Sequence, residues 1–254
     1  MKAIITDLDR TLLRTDKTIS AYTLSVLKRC REKGMLLLVA SARPLRTIAP
    51  YHAQIGFDAI AATNGVIIQL PGRQLIHGLR RESAQQALAA LMQYPDVLLS
   101  AETSGGLFAN GDIPEWDPVI YHDFPRLPAH VIPYKILASS PHRQLYEEIA
   151  ALLPPDAYHT VAGESLIQIM STEATKWKAI RHMLAHFQLS PADAVYFGDD
   201  NDDVEALRQC GLGVAVQNAI PAALAAADRI APDNDSDGVA RFIEENILER
   251  NLTL

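Results

Sequence analysis

The sequence predicts an α/β fold, a parallel sheet flanked by helices and interrupted by a separate α+β insert. Three observations carry that expectation. Short apolar runs rich in branched residues alternate with helical-period segments at the start of the chain. From residue 66 to residue 170 the rhythm changes to short strands, tight turns and a proline-rich loop. The first rhythm then resumes.

Ala3, Ile4 and Ile5 read as a strand buried on both faces. The run leads into Asp7 and Asp9, followed by Thr11. Side chains alternate along a strand, so both carboxylates can start on one side of the backbone where the strand unravels. In open α/β sheets the carboxyl ends of strands are where ligands bind. Two carboxylates about 4 Å apart repel by roughly 4 kcal/mol at an effective dielectric of 20, so the pair favours a cation. A solvated strand end with an Asp/Thr turn is the other reading.

Ser20 is placed to cap a helix over residues 21–33, which Gly34 ends. Residues 35–40 form a second buried strand, followed by Ser41, Ala42, Arg43 and Pro44, the last suited to a first helical turn. Residues 57–62 form a third strand, ending at Thr63-Asn64-Gly65. Strand–helix–strand alternation implies right-handed crossovers and parallel pairing.

Within the insert, residues 66–77 read as a hairpin about Pro71-Gly72. Helices are expected over residues 83–92 and 141–153, and strands over 96–100, 106–109, 134–138, 158–162 and 165–170. A helix over 174–187 carries Trp177, Ile180, Met183, Leu184 and Phe187 at helical spacing. The strand 194–197 then runs into Gly198 and the acidic residues Asp199, Asp200, Asp202 and Asp203. Strands over 213–216 and 229–231 and a helix over 237–248 complete the pattern.

With 48% apolar and 21% charged residues, the 254-residue chain has material for one large domain or two ordinary ones. A formal charge of −7 argues against nucleic acid or an anionic membrane as partner, while leaving local phosphate binding open. The two cysteines, Cys30 and Cys210, form no disulfide framework and suit a reducing, cytoplasmic setting. No run approaches the ~20 apolar residues of a membrane span. The start does not read as a signal peptide, because Asp7 and Asp9 precede any long apolar region. Asn251-Leu-Thr matches the glycosylation pattern, which without secretion is chance.

A parallel sheet brings four polar loops to one edge: Asp7/Asp9/Thr11, Ser41, Lys176 at a helix start, and the Asp199–Asp203 cluster. Oxygen ligands of this kind suit a hard cation, Mg²⁺ in the first instance. Taken singly, the acidic loop reads equally as a cap for the helix from Val204, and Lys176 as a solvated lysine. Together they supply the parts of phosphoryl transfer: a carboxylate nucleophile, a metal, a hydroxyl and an ammonium.

These residues in this order resemble the haloacid dehalogenase superfamily of phosphatases, in the Cof-like branch, over essentially the whole chain. Asp7-Leu-Asp9-Arg-Thr11 resembles the first motif, Ser41 the second, Lys176 the third, and Gly198-Asp199 with Asp203 the fourth. Thr63-Asn64-Gly65, residues 214–219 and Asp237-Gly238-Val239 add to the likeness. The resemblance implies a Rossmann-like parallel core over residues 1–79 and 171–254, with an α+β cap over 80–170 that selects substrate. It implies a Mg²⁺-dependent phosphatase of small phosphorylated metabolites, sugar phosphates or phosphorylated cofactors, working through an aspartyl-phosphate. Asp7 would be the nucleophile and Asp9 the general acid and base. Thr11, Ser41 and Lys176 would hold phosphate; Asp7, the Asp9 carbonyl and Asp199 would hold the metal, supported by Asp203. Arg10, Arg43, Asn64 and Asp202 would lie beside the site.

The chain departs from the family pattern at Arg10, Ala42 and Trp177, each standing for a usual Gly, and at Asp202, standing for a usual Asn. Arg10 and Trp177 are thereby placed to narrow the entrance, and Lys178 is an alternative third-motif lysine. A small phosphate ester is the expected partner, with no nucleic acid and no membrane, for a monomer or small homo-oligomer. A phosphomutase is the alternative within enzymes. A receiver-like phosphate-binding module is the alternative outside them, although it has no need of Asp9 as an acid. His182 and His186 lack the Glu of a zinc-protease pattern and read as ordinary histidines. Trp116, Tyr121, His122 and Asp123 read as a solvent-exposed loop, with contact to substrate as the other reading.

Overall fold

The computed structural model describes residues 1–113, 116–121, 123–124, 126–162 and 165–249. The chain runs β1 (Ala3–Thr6), α1 (Ala21–Glu32), β2 (Leu36–Ala40), α2 (Leu45–Ile55), β3 (Ala59–Ala62), β4 (Ile67–Leu70) and β5 (Arg73–Ile76). It continues through α3 (Arg81–Leu91), β6 (Leu98–Thr103), β7 (Gly106–Ala109), β8 (Val119–Ile120), β9 (Pro133–Ser139), α4 (Arg143–Leu152), β10 (Ala157–Ala162) and β11 (Leu166–Ser171). The last part comprises α5 (Lys176–His186), β12 (Ala194–Gly198), α6 (Val204–Gln209), β13 (Leu212–Val216), α7 (Pro221–Ala226), β14 (Arg229–Ala231) and α8 (Gly238–Phe242). Two compact units result, one of residues 1–75 with 175–254, the other of residues 76–174. These boundaries lie four residues outside the cap expected over 80–170 at each end, whereas the hairpin over 66–77, read as part of the insert, adds its strands to the core sheet instead because β4 pairs with β3.

The first unit holds an eight-stranded sheet in the order β14-β13-β12-β1-β2-β3-β4-β5. All pairs from β14 to β3 are parallel, as the βα alternation requires. β4 joins antiparallel to β3, so the hairpin about Pro71-Gly72 widens the core sheet. β1 lies centrally and is buried along its whole length, which explains why Ala3–Thr6 carries apolar residues on both faces. Chain order reverses across the β1/β12 pair, so the crevice at their carboxyl ends is the topological switch point. Thr6 pairs with Phe197, which brings Asp7 level with the start of the acidic loop. Ser20 caps α1 by accepting from the Thr23 N–H. Pro44 stands just before α2 rather than inside its first turn. The final helix, expected over residues 237–248, begins at Gly238 and widens into π-type turns over Ile243–Leu248.

The second unit is a six-stranded sheet in the order β10-β11-β9-β6-β7-β8, antiparallel except between β7 and β8. α3 and α4 cover one face, where Leu88, Leu91, Leu145 and Ile149 pack with Leu99, Ala101, Ile136 and Ile169. The two-residue β8 and the six-residue α7 escape the sequence reading because each is too short to show a period. Trp116 is exposed, and Tyr121 sets its ring edge-on to Phe108 and Phe124. His122 and the Asn251 sequon lie outside the described residues. No helix among the described residues is long and apolar enough to cross a membrane.

Candidate active site

The site grows from the end of β1. Asp7 is buried, and its N–H donates to the Phe197 carbonyl at 2.9 Å, which fixes the first residue beyond the strand. The chain then turns through Leu8–Leu12, with Arg10 in the left-handed region at φ 58°. On the neighbouring strand, β12 delivers Gly198 and Asp199. A Cβ at Gly198 would lie 2.6 Å from Cβ and Cγ of Asp203, so glycine is what lets the acidic loop fold back on its strand.

Asp203 organises that loop. Its Oδ2 accepts from the N–H groups of Asp199 at 2.8 Å and Asp200 at 3.0 Å. Its Oδ1 accepts from Lys176 Nζ at 2.6 Å and from the Tyr196 hydroxyl at 2.5 Å. These four donors fill the lone-pair sites of a carboxylate. Asp203, expected to support the metal-holding acids, braces the loop with all four of these contacts. Thr11 is likewise committed: expected at phosphate, its hydroxyl donates to Asp199 Oδ1 at 2.7 Å.

Lys176, only 2% exposed, meets three acids: Asp203, Asp7 Oδ1 at 3.1 Å and Asp202 Oδ1 at 3.2 Å. Thr175 caps the helix that carries it by accepting from the Lys178 N–H. Gly65 secures its placement, since a Cβ there would lie 2.6 Å from the Thr175 carbonyl oxygen. Thr63, Asn64 and Gly65 all adopt positive φ in this turn. The Asn64 side chain donates to Asp202 Oδ2. Ser41 is buried at the end of β2, its N–H on the Ala61 carbonyl and its carbonyl accepting from the Asn64 N–H.

Asp9 lies apart from the buried acids. Arg43 grips its carboxylate with Nε at 2.5 Å and a terminal nitrogen at 2.7 Å, and Lys17 Nζ adds a contact at 2.7 Å. Arg43 also lies over the Tyr51 ring, 5.2 Å from its centroid. Of the two departures placed to narrow the entrance, Trp177 is buried whereas the Arg10 side chain is 60% exposed.

Electrostatics divide these acids into two kinds. Burial pushes the Asp7 carboxyl well above the usual range; Lys176 pulls it down, and Asp203, Asp199 and Asp202 push it further up. Burial and Asp203 raise Asp199 to about 7. Asp202 is also raised, chiefly by burial. Asp9 goes the other way: burial acts upward, but the hydrogen bonds from Arg43 and Lys17 outweigh it and hold the carboxylate anionic. Burial alone would lower Lys176, yet Asp202, Asp203 and Asp7 keep it firmly an ammonium.

Among the described residues, Asp7, Asp199 and Asp203 form a group whose oxygens lie within 4.8 Å of one another. Buried carboxylates that resist ionisation beside one another are a donor set suited to a hard cation. With Asp203 saturated by its four donors, Asp7 and Asp199 are the acids with oxygens to give. Neither His182 nor His186 belongs to that group.

Sequence reasoning missed three functional contacts. Tyr196 bonds Asp203 from an otherwise apolar strand, and its hydroxyl there was the available signal. Asn218 donates to the Arg10 carbonyl at 2.8 Å across 208 residues, and the Arg43 fork on Asp9 spans 34 residues; neither leaves a local pattern.

A parallel α/β sheet with a buried carboxylate, a buried ammonium and an acidic loop at its switch point is an arrangement suited to phosphoryl groups. Residues 4–243 match the family model of haloacid dehalogenase-like hydrolases, and the chain belongs to that family. It is 29% identical to the HMP-PP phosphatase of Cronobacter sakazakii, over 86% of this chain and 85% of that one. It is 25% identical to the 5-amino-6-(5-phospho-D-ribitylamino)uracil phosphatase YitU of Bacillus subtilis, covering 95% and 96%. A solved haloacid dehalogenase-like hydrolase of Bacillus subtilis superposes with a TM-score of 0.84 at 19% identity, over 97% of this chain and all of that one. The protein is accordingly an enzyme, a phosphoric monoester hydrolase.

Proposed function

We propose that the enzyme releases inorganic phosphate from small phosphorylated metabolites, with Asp7 as nucleophile. The observation that carries this reading is the Asp7 carboxylate, buried at the switch point 3.1 Å from Lys176 and beside Asp199. An Asp7 oxygen attacks phosphorus, and the P–O bond to the substrate breaks as Asp9 protonates the departing alkoxide; Asp9, held as a carboxylate by Arg43 and Lys17, takes that proton from the monoprotonated phosphate ester as the ester binds. Asp9, now a carboxylate, takes a proton from water as that water attacks the aspartyl-phosphate, which returns Asp7 and frees phosphate. The grip of Arg43 and Lys17 holds Asp9 in the form this second half needs. Ser41 and Lys176 hold the phosphoryl oxygens. Asp7 and Asp199 would hold a divalent cation, Mg²⁺ in our reading, which would neutralise phosphoryl charge. Residues 76–174 serve as the cap that chooses the organic part of the substrate. The two buried, unpaired cysteines accord with a cytoplasmic setting.

Phosphate release from a panel of metabolite phosphates, with and without Mg²⁺, tests the reading; no release from any would defeat it. The Asp9→Asn variant is expected to build up phosphoenzyme from an activated aryl phosphate, since that leaving group needs little acid help. Wild-type rates on both aryl and alkyl phosphates would remove Asp9 from the mechanism.

Metal binding supplies a second expectation, with a pH dependence. The Asp199 pKa is about 7 in the fold, above the ordinary carboxylate value, so the neutral form is favoured there. Its contribution to stability is complete below about pH 4 and is lost as pH rises through about 7. A cation relieves that loss, so the Mg²⁺-induced rise in Tm should be larger at pH 8 than at pH 6. At a hundredfold excess over Kd the stabilisation is about 2.7 kcal/mol, a rise of several degrees for a chain of this size. Asp199→Asn should abolish the shift and Asp202→Asn should keep most of it. Scanning fluorimetry showing the reverse would move the metal site.

A further inference from the structure

We propose that Arg10 is a specificity-determining residue whose guanidinium takes a second anionic group of the substrate, a carboxylate or another phosphate. The inference rests on the phosphatase reading above and names its substrate class. Three observations support it. The Arg10 side chain is 60% exposed, whereas Lys176, the cation assigned to the transferred phosphoryl group, is 2% exposed. An exposed guanidinium at the rim meets what is attached to that group rather than the group itself. The side chain is also placed rather than loose. One terminal nitrogen donates to the Asn218 carbonyl at 3.2 Å, Nε lies 3.9 Å from Asp199 Oδ2, and the Asn218 side chain donates back to the Arg10 carbonyl at 2.8 Å. The backbone, finally, sits at φ 58°, a conformation glycine would adopt without strain. What this position gains from arginine is therefore its side chain.

Charge balance points the same way. Arg43 and Lys17 both pair with Asp9, so those three groups sum to one net positive charge, and Arg10 in the same loop meets the Asp199 carboxylate only at 3.9 Å, with its side chain 60% exposed. A guanidinium binds carboxylate or phosphate with two parallel N–H donors, which a neutral hydroxyl cannot match.

The test compares the whole enzyme, with Mg²⁺, on two matched pairs. 3-Phosphoglycerate against glycerol 3-phosphate adds a carboxylate; fructose 1,6-bisphosphate against fructose 6-phosphate adds a phosphate. The wild type should prefer the more anionic member of at least one pair by roughly tenfold or more in kcat/KM, the scale of a charge-assisted hydrogen bond. The pair showing it identifies the anion. Arg10→Gly, which suits the backbone, should lose that preference through a raised KM for the anionic member. Arg10→Lys, keeping charge without the fork, should retain part of it. A wild type that lacks the preference for the more anionic member in both pairs, or a preference unchanged in Arg10→Gly, overturns the proposal. Failure of the wild type to release phosphate from these four and from p-nitrophenyl phosphate would instead overturn the phosphatase reading, and this inference with it.

Discussion

Replacing Asp7 by Asn is expected to lower kcat by at least about a thousandfold, because the atom that attacks phosphorus is removed. The same change should stabilise the metal-free protein. Burial and three neighbouring acids cost the Asp7 carboxylate more than Lys176 returns, as its raised pKa records. A neutral isostere escapes that cost, and each kcal/mol recovered raises Tm by about 2–4 °C at this size. Lys176 keeps Asp202 and Asp203 as partners, so the variant has no reason to misfold. Loss of activity through a merely structural role would carry the opposite sign, a lowered Tm. Activity within tenfold of wild type would rule out Asp7 as the nucleophile.

Lys176→Met should fail on both counts. Lys176 is the cation shared by Asp7, Asp202 and Asp203, all largely removed from water. Removing one partner from a buried ionic group costs about 3–5 kcal/mol, since the remaining charges stay buried and unpaired. For a chain of this length that is roughly a 10 °C fall in Tm, alongside loss of turnover. Adding Asp203→Asn to the variant removes one of the stranded charges and should restore part of the Tm without restoring activity. A Lys176→Met protein that melts at the wild-type temperature would show that the acids are neutral in the fold.

The frame of this site was readable in the sequence because its parts sit at strand ends. Ala3–Thr6, Leu36–Ala40 and Ala194–Gly198 are apolar on both faces, so strand, burial and parallel pairing follow from composition. Asp7, Ser41 and Asp199 come immediately after them, and parallel register then places them together. Lys176 was readable only in combination, from its place near the start of the helix expected over 174–187 and its likeness to the third motif. What was not readable is how hydrogen bonds divide the acids. Six aspartates in two short stretches look alike in sequence, yet the fold braces Asp203 with four donors and clamps Asp9 between Arg43 and Lys17. Thr11 illustrates the same limit, its hydroxyl turned to an acid 188 residues away. Such assignments depend on side-chain geometry across distant segments, which no local period or spacing encodes.

In the proposed mechanism phosphate passes through a covalent bond to Asp7. Acid quenching during turnover, followed by proteolysis and peptide mass mapping, tests it directly. One phosphoryl group is expected on the peptide containing Asp7, more of it in Asp9→Asn and none in Asp7→Asn. Steady phosphate release by Asp9→Asn with no phosphorylated peptide, or a phosphorylated peptide surviving in Asp7→Asn, would contradict it.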